Sequence, residues 1–312
     1  MTNDPLSHFN QHLVRMTSPE GQLAWWIVDS GRLRKISSGE SLRLYRAKFP
    51  VVDALDPALA SSWKRGALAP TDPDLSFDED IGSSLPAGRM REMVCSSVRG
   101  SGIEFGAGGR PMITPLGTHV RYADRFTEEE MALYSSSRHG VGLGSFMPID
   151  LIDTLEEMRS IENVSTDFII ASHVIEHVAN PIQAIVNSFK RLTAGGRLVL
   201  MVPDKERTHD RNRVLTPLSH ILADYLRPSR DRDLENYIER YSVVENMPLE
   251  RTDEFIKAWE ERRDVHLHVF NYQHFLNLLD LCRHWAPFRA VWSHPGILDD
   301  GSSKEMYFVM IK

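Results

Sequence analysis

The chain has 312 residues, of which 36 are Lys or Arg and 43 are Asp or Glu, so its formal net charge is −7. Hydrophobic residues make up 42% and charged residues 25%, an ordinary balance that excludes a disordered chain and a fibre. The acidic balance argues against a general nucleic-acid binder, because such a protein needs a basic face to neutralise phosphates. The length suits one large domain or two modest ones.

Cysteine content and apolar runs indicate the cellular compartment. The two cysteines, Cys95 and Cys282, exclude a disulfide framework and a zinc site built from paired CxxC units. The N-terminal residues contain no apolar run of signal-peptide length, and no apolar stretch approaches 18 residues. We therefore expect a cytoplasmic protein with reduced thiols and no membrane span.

Short apolar runs alternate with helical periodicity from residue 100 onward. These runs predict strands at 102–105, 120–123, 147–152, 167–172, 197–202, 289–293 and 305–311. Strands that alternate with helices predict a doubly wound, Rossmann-like α/β sheet. The sheet is expected to be mostly parallel, and the last two strands are close enough in sequence to form an antiparallel hairpin.

Three helices are predicted within this region. Thr127 and Glu130 have the spacing of a capping box at the start of the first. Apolar residues at helical spacing predict the second over 181–192, ended by the glycines of 194–196. The third covers 275–282, with Asn271 as its N-cap. We interpret 1–99 as an N-terminal extension that is a possible acceptor-binding cap, and 100–312 as the core, with an α-helical insertion at 204–265.

A glycine-rich turn follows the first core strand. Gly106 and Gly108 let the backbone approach a ligand closely, and Asp124 lies 18 residues after Gly106 at the end of the next strand. In a doubly wound sheet these strand ends are neighbours, so the carboxylate can accept hydrogen bonds from both hydroxyls of a ribose. A dinucleotide fingerprint requires a third glycine at 111, where this chain has Pro111, so NAD and FAD are disfavoured.

Five segments in order resemble class I S-adenosylmethionine-dependent methyltransferases of the methyltransferase type 11-like kind. They are GIEFGAGGRP, YADRF, PIDLIDTLEEM, TDFIIASHVIEHVANP and LTAGGRLVLMVPD. The resemblance covers about 100–204 and 266–312. It departs from the family pattern at Arg110, where many members have a third glycine.

The resemblance implies S-adenosylmethionine as cofactor. It implies that Asp124 holds the ribose, that Asp153 accepts from the adenine amino group, and that Ser172 or His173 faces the sulfonium. Glu104 would support the glycine loop and the amino group of the cofactor. The full set of implied cofactor residues is Glu104, Gly106, Ala107, Gly108, Asp124, Arg125, Asp153, Thr154, Ser172, His173 and His177.

Methyl transfer to a hydroxyl requires a group that removes the proton, and histidine suits this role because its pKa lies near neutrality. Four histidines follow a strand or close a loop where the resemblance places the active site. They are His173, His209, His266 and His268. On a helix His173, Glu176 and His177 would share one face. In an extended segment Asp264, His266 and His268 would share another, and we interpret these three as positioning a loop rather than binding a metal.

The predicted function is S-adenosylmethionine-dependent methylation of a hydroxyl on a small molecule, a sugar or a glycan. The choice of acceptor rests on an analogy with bacterial members of the family that share the PD…HD…R run and the late HxH. The alternatives are an NAD-linked oxidoreductase of Rossmann type and a catalytically silent methyltransferase fold that acts as a binding protein.

Overall fold

The computed structural model of the protein describes residues 9–17, 23–52, 64–74, 76–77, 87–139, 146–297 and 303–312. The chain forms two compact units. The first comprises Met1–Ile81 and Gly88–Ile152, and the second comprises Gly82–Ala87 and Asp153–Lys312. Within the described residues, none of the helices is long and apolar enough to cross a membrane.

The first unit contains a small five-stranded sheet with the order β4-β1-β2-β3-β5. Its elements are β1 (Leu13–Thr17), β2 (Leu23–Asp29), β3 (Arg32–Lys35), α1 (Gly39–Lys48), β4 (Val51–Val52) and β5 (Lys64–Arg65). Successive residues of a strand point to opposite faces. Accordingly Val14 and Val28 belong to one apolar cluster, whereas Leu13 and Ile27 pack with Tyr45 of α1 in another. Both faces of this sheet are therefore covered.

The first unit also contains the beginning of the predicted core. It comprises α2 (Ala87–Cys95), β6 (Ser101–Phe105), β7 (His119–Asp124), α3 (Glu128–His139) and β8 (Leu151–Ile152). β6, β7 and β8 pair in parallel. The predicted capping box is confirmed, because Thr127 N–H donates to Glu130 Oε2 at 2.8 Å and Glu130 N–H donates to Thr127 Oγ1 at 3.2 Å. The strand predicted over 147–152 is shorter than expected, because only its last two residues pair with β7.

The second unit contains the strands at the other side of the predicted core. Its sheet and flanking elements are β9 (Thr166–Ser172), α4 (Pro181–Arg191), β10 (Leu192–Pro203), α8 (Tyr272–Cys282), β11 (Ala290–His294) and β12 (Glu305–Ile311). β10 is parallel to β9, and β12 is antiparallel to both β10 and β11. In the second unit the strands follow the order β11-β12-β10-β9, and in the first unit β6, β7 and β8 are neighbours in that order. The predicted mostly parallel α/β sheet with an antiparallel C-terminal hairpin is confirmed.

The end of α4 differs from the prediction. The helix ends at Arg191 with an extended Leu192 as its C-cap, and β10 begins immediately, so the glycines of 194–196 do not cap the helix. They lie instead inside an irregular start of β10, between the pairings of Leu192 and Arg197 with β9. A Cβ on Gly196 would approach the Thr193 carbonyl oxygen to 2.9 Å, so a close backbone contact requires this glycine.

The charged region after β10 is helical, as the predicted α-helical insertion requires. It contains α5 (Leu218–Leu226), α6 (Asp233–Glu239) and α7 (Thr252–Glu260), joined by short 3₁₀ and π turns. α6 and α7 face each other through Tyr237 and Ala258, which pack with Val265 and Leu267. The boundaries at 99/100 and around 204–265 stay predictions.

Candidate functional site

The glycine turn after β6 leaves open space beside the backbone. Gly106 and Gly108 have φ values of 68° and 52°, in the left-handed region that favours glycine. A Cβ built on Gly108 would meet no heavy atom within 4 Å. The turn is closed by Arg110 N–H, which donates to the Ala107 carbonyl at 3.0 Å. This exposed backbone fits the predicted role of a cradle for an elongated cofactor.

Glu104 supports the segment that follows the glycine turn. Its carboxylate is buried and accepts the backbone N–H of Met112, with 2.9 Å to Oε1 and 3.1 Å to Oε2. Burial raises the pKa of Glu104 to about 8, although the Met112 N–H and the charge of Arg91 oppose that shift. Glu104 therefore bonds to the backbone beyond the turn, and its predicted contact with the cofactor amino group stays a prediction.

Asp124 ends β7 in the same unit, and Arg125 follows it. Asp124 is half-buried, and its Oδ1 accepts the Phe126 N–H at 3.1 Å. Arg125 is exposed, and its guanidinium lies 4.6 Å from the centre of the Phe126 ring. The position of Asp124 at the carboxyl end of a parallel strand fits ribose binding, which stays a prediction for this residue.

In the second unit, Asp153 organises the loop before β9. Its Oδ1 accepts the Thr154 N–H at 2.8 Å, and its Oδ2 accepts the Ser160 N–H at 2.8 Å and the Ser160 hydroxyl at 2.6 Å. Burial favours the neutral form of Asp153, but these hydrogen bonds outweigh it and hold its pKa below the usual value. Thr154 Oγ1 in turn accepts the Glu157 N–H at 3.1 Å. These hydrogen bonds all lie within the loop, so the contact of Asp153 with the adenine stays a prediction.

The carboxyl end of β9 carries Ser172 and His173, and a short turn then carries Glu176 and His177. Ser172 is half-buried and pairs with Met201 of β10. His173 has a left-handed φ of 54°, and Ile175–His177 is a single 3₁₀ turn, so the predicted helical face is wrong. His173 and His177 nevertheless both lie near Glu176, at 3.5 and 3.7 Å from its Oε1.

Glu176 lies at the centre of a group of imidazoles. It is fully buried, and its Oε1 lies 3.5 Å from His173 Nδ1, 3.7 Å from His177 Nε2 and 3.9 Å from His266 Nε2. Burial opposes ionisation of Glu176, but the three imidazoles outweigh it and hold its pKa below the usual value. We call His173, Glu176, His177, His209, Asp210 and His266 the histidine cluster.

The insertion supplies the second carboxylate of the histidine cluster. Asp210 follows β10 in a 3₁₀ turn, and its Oδ2 lies 2.5 Å from His266 Nδ1. Its Oδ1 accepts from Arg213 at 3.1 Å, and the same guanidinium donates to Glu239 Oε2 at 3.0 Å and to the His266 carbonyl at 2.8 Å. Burial favours the neutral form of Asp210, but His266 and Arg213 hold its pKa well below the usual range. Asp210 is therefore ionised and orients the His266 ring.

His173 is held between two carboxylates. Its Nε2 lies 2.9 Å from Glu305 Oε2, on the opposite side of the ring from Glu176. Glu305 is buried at the start of β12, and its Oε1 accepts the Tyr307 hydroxyl at 2.8 Å. Burial opposes protonation of His173, but the carboxylates of Glu176 and Glu305 on its two sides raise its pKa to about 9. His173 is therefore a cation at neutral pH, which makes it a poor proton acceptor in this state.

The remaining predicted histidines have contrasting surroundings. His209 has an exposed side-chain fraction of 48%, and its Nε2 lies 3.7 Å from Asp210 Oδ2. Burial lowers the pKa of His209 and outweighs the opposing charge of Asp210, so its neutral form is favoured. His268 is fully buried, and its Nε2 faces the Ala179 carbonyl at 3.2 Å. Burial lowers the pKa of His268 to about 3, so it is neutral and cannot reach a substrate in this conformation.

The face predicted for Asp264, His266 and His268 is only partly formed. Asp264 Oδ1 lies 3.1 Å from His177 Nδ1, and His266 joins Glu176 and Asp210, so both residues point into the histidine cluster. His268 is turned away at a bend and lies beside His220 instead. The three side chains therefore do not form one set of metal ligands.

Two residues of this region, Arg213 and Glu305, were not singled out from the sequence. Glu305 carries a usable signal, since it is an acidic residue at the start of an apolar strand. Arg213 carries no such signal, because the insertion around it is charged throughout.

A family model described as a methyltransferase domain matches residues 38–280. No curated protein matches the chain.

Among solved structures, a possible histamine N-methyltransferase from Thermotoga maritima is 17% identical, with a TM-score of 0.39, and the match covers 72% of this chain and 88% of that one. The CurJ carbon methyltransferase is 16% identical, with a TM-score of 0.39, over 72% of this chain and 53% of that one. The chain thus spans about half the length of CurJ. An arsenic(III) S-adenosylmethionine methyltransferase from Chlamydomonas reinhardtii is 14% identical, with a TM-score of 0.31. The match covers 74% of this chain and 65% of that one.

Proposed function

The chain belongs to the class I S-adenosylmethionine-dependent methyltransferase family, and from this premise we propose that it methylates a hydroxyl of a small molecule, a sugar or a glycan. S-Adenosylmethionine is its cofactor, and the bound cofactor supplies a methyl group on a sulfonium. Membership of this family sets aside the NAD-linked oxidoreductase of Rossmann type. It also sets aside the catalytically silent fold, since the chain is an enzyme of the methyltransferase class.

The residues that would hold the cofactor fit such a molecule. In the first unit, the open backbone at Gly106 and Gly108 suits the methionine part, and the Asp124 carboxylate suits the two ribose hydroxyls. In the second unit, Ser172 and His173 end β9, where the family places the reacting side of the cofactor. These assignments are part of the proposal.

The observation that carries the proposal is the histidine cluster at the carboxyl ends of β9 and β10. Transfer of a methyl group to a hydroxyl breaks the bond between sulfur and the methyl carbon, forms an oxygen–carbon bond, and releases the hydroxyl proton. The cluster combines several imidazoles with ionised carboxylates, so it can accept that proton and hold the resulting charge. A neutral amine has a lone pair ready for transfer and needs less help from a base, whereas a carbon acceptor also has to lose a proton, so the acceptor atom is decided by experiment.

Within the cluster, His209 is the residue we propose as the proton acceptor. His173 is held by Glu305, and His266 is held by Asp210, so neither ring is free to turn toward an acceptor. His209 is half-exposed and has Asp210 beside it at 3.7 Å, which stabilises the imidazolium that forms on proton transfer.

The test of this assignment compares His209→Ala and His209→Gln with His284→Ala, a control at an exposed histidine outside the cluster. Formation of S-adenosylhomocysteine is measured with a panel of hydroxylated metabolites and oligosaccharides, and in parallel with amines and with acidic carbon acceptors. We expect the His209 variants to lose about 10²–10⁴-fold in turnover with unchanged cofactor affinity, the range for a general base. Turnover near that of the control would remove His209 from the mechanism. Turnover that is confined to amine or carbon acceptors would refute O-methylation.

A further inference from the structure

One buried carboxylate of the second unit has no hydrogen bond. Both carboxylate oxygens of Glu176 are buried, and neither has a hydrogen-bond partner within the described part of the chain. The side chain is fully buried, so water does not solvate it freely. A buried carboxylate without hydrogen bonds is costly unless a positive group compensates it. The His173 imidazolium, whose Nδ1 lies 3.5 Å from Oε1, offsets part of this charge, but it leaves both carboxylate oxygens without a hydrogen bond.

The nitrogen atoms around Glu176 have the spacing of ligands that share an ion. His177 Nε2 and His266 Nε2 lie 3.7 and 3.9 Å from Glu176 Oε1, too far for a charge-assisted hydrogen bond of about 2.7–2.9 Å. With bonds of about 2.0–2.1 Å to a tetrahedral metal, two ligand atoms lie about 3.4 Å apart. The observed distances exceed that value by about 0.3–0.5 Å, which small side-chain rotations close.

The outer nitrogens of the same two rings are already engaged. His177 Nδ1 lies 3.1 Å from Asp264 Oδ1, and His266 Nδ1 lies 2.5 Å from Asp210 Oδ2. When His266 Nδ1 donates its proton to Asp210, His266 Nε2 keeps a lone pair, and the Nε2 atoms of both rings face Glu176. Histidine ligands of metals almost always donate their other ring nitrogen to a carboxylate, a carbonyl or water, and this fixes the tautomer that binds the metal.

The backbone holds these groups in place independently of any ion. The carbonyl oxygen of Glu176 accepts the N–H groups of Leu267 and His268, at 2.8 and 3.0 Å. These two bonds fasten the segment that carries His266 to the turn that carries Glu176 and His177. The rings of His177 and His266 meet edge to face, with centroids 4.8 Å apart. The inner atoms of the three side chains all lie within 4.8 Å of one another.

We propose that Glu176, His177 and His266 bind a divalent transition-metal ion. Two imidazole nitrogens and one carboxylate oxygen suit Zn²⁺, which takes the same ligand types in proteins. Three protein ligands leave one position of a tetrahedral ion for water or another oxygen ligand. Metal binding itself needs neither cofactor nor acceptor. Any use of the ion in methyl transfer rests on the proposed function.

Two other groups of ligand type in the second unit are weaker candidates. His220, Asp224 and His268 lie close together, but Asp224 already pairs with Arg232 at 2.6 Å. Asp210 forms a group with His209 and His266, but it pairs with Arg213 at 3.1 Å. In both groups a guanidinium already compensates the carboxylate.

The experiment titrates Co²⁺ into the full chain after dialysis against a chelator and follows the visible absorption of the bound ion. Zn²⁺ is then added as a competitor. We expect one Co²⁺ per chain, displaced by Zn²⁺, with binding lost in Glu176→Gln and in His177→Ala. Asp264→Asn changes a half-exposed residue that orients His177, so the fold is retained, and we expect Co²⁺ affinity to fall about 10–100-fold.

The controls are His284→Ala, an exposed histidine outside these groups, and His220→Ala, which removes a ligand of the competing group. Both are expected to bind Co²⁺ like the unchanged chain. The proposal is overturned if the unchanged chain binds no Co²⁺, if Asp264→Asn and Glu176→Gln bind normally, or if His220→Ala alone abolishes binding. Normal Co²⁺ binding without methyl transfer to any hydroxyl would refute the proposed function and leave the metal site standing.

Discussion

Arg213 fastens the insertion to the histidine cluster, and its removal tests this part of the structure. The side chain is completely buried and donates to Asp210, to Glu239 and to the carbonyl of His266. Arg213→Met keeps most of the apolar stem and removes the charge. Asp210 then remains as a buried anion with His266 as its remaining close partner.

The size of the effect follows from the burial of the two carboxylates. Breaking a buried ion pair by removing one partner costs about 3–5 kcal/mol, because an uncompensated charge remains inside the protein. Asp210 is 3% exposed and carries that cost, whereas Glu239 is 28% exposed and regains water. We therefore expect the lower end of the range, about 3 kcal/mol of unfolding free energy. Arg213→Lys keeps the charge but cannot make two parallel hydrogen bonds. Its free energy of unfolding should therefore lie between those of the unchanged chain and Arg213→Met.

Urea unfolding followed by tryptophan fluorescence and circular dichroism measures this difference. The matched control is Arg283→Ala, whose pair with Asp280 is exposed and separated by 3.8 Å. An exposed pair contributes about 0–1 kcal/mol, so the control should unfold almost like the unchanged chain. A loss below about 1 kcal/mol for Arg213→Met, no larger than that of the control, would refute the inferred role of this buried pair.

Two further predictions concern the first unit. Asp124→Ala should weaken S-adenosylmethionine binding by about 1.5–3 kcal/mol, the range for hydrogen bonds to a charged group, and calorimetry that shows unchanged affinity in a folded variant would contradict the ribose assignment. Burial raises the pKa of Glu104 from 4.5 to about 8, so the folded state holds the proton more tightly than the unfolded state. The stability from this group is fully present below pH 4.5 and is lost as the pH rises toward 8. Thermal unfolding between these pH values should show a decline that Glu104→Gln flattens, and an equal decline in both proteins would contradict the buried acid.

The strands were predictable because their signal is local. A run such as 167–172 is apolar enough to be buried on both faces, and β9 forms over Thr166–Ser172 as that pattern requires. The hairpin of β11 and β12 was equally predictable, because its two strands are close in sequence. The glycines of 194–196 led to a wrong prediction of a helix C-cap. A glycine after a helix is equally typical of a C-cap and of an irregularity in the following strand. Only the pairing of β10 with its neighbours decides between them.

The site was predictable only where its members are close in sequence. His173 and His177 lie within five residues of each other, so their spacing indicated that they and Glu176 are neighbours, even though the segment is not α-helical. The pairs of Asp210 with His266 and of His173 with Glu305 join residues 56 and 132 positions apart. No periodicity connects such positions. The tertiary fold alone brings them together, and it also turns His268 away from its neighbours in sequence.

The central claim is methyl transfer from S-adenosylmethionine to an acceptor hydroxyl. The most direct measurement incubates the full chain with S-adenosylmethionine carrying a carbon-13 methyl group and a panel of hydroxylated metabolites and oligosaccharides, and reads the new methyl signal by nuclear magnetic resonance. The account predicts an oxygen-bound methyl group, formed in step with S-adenosylhomocysteine and strongly reduced in His209→Ala. A methyl group found on carbon or nitrogen, or product formation that His209→Ala leaves unchanged, would contradict it.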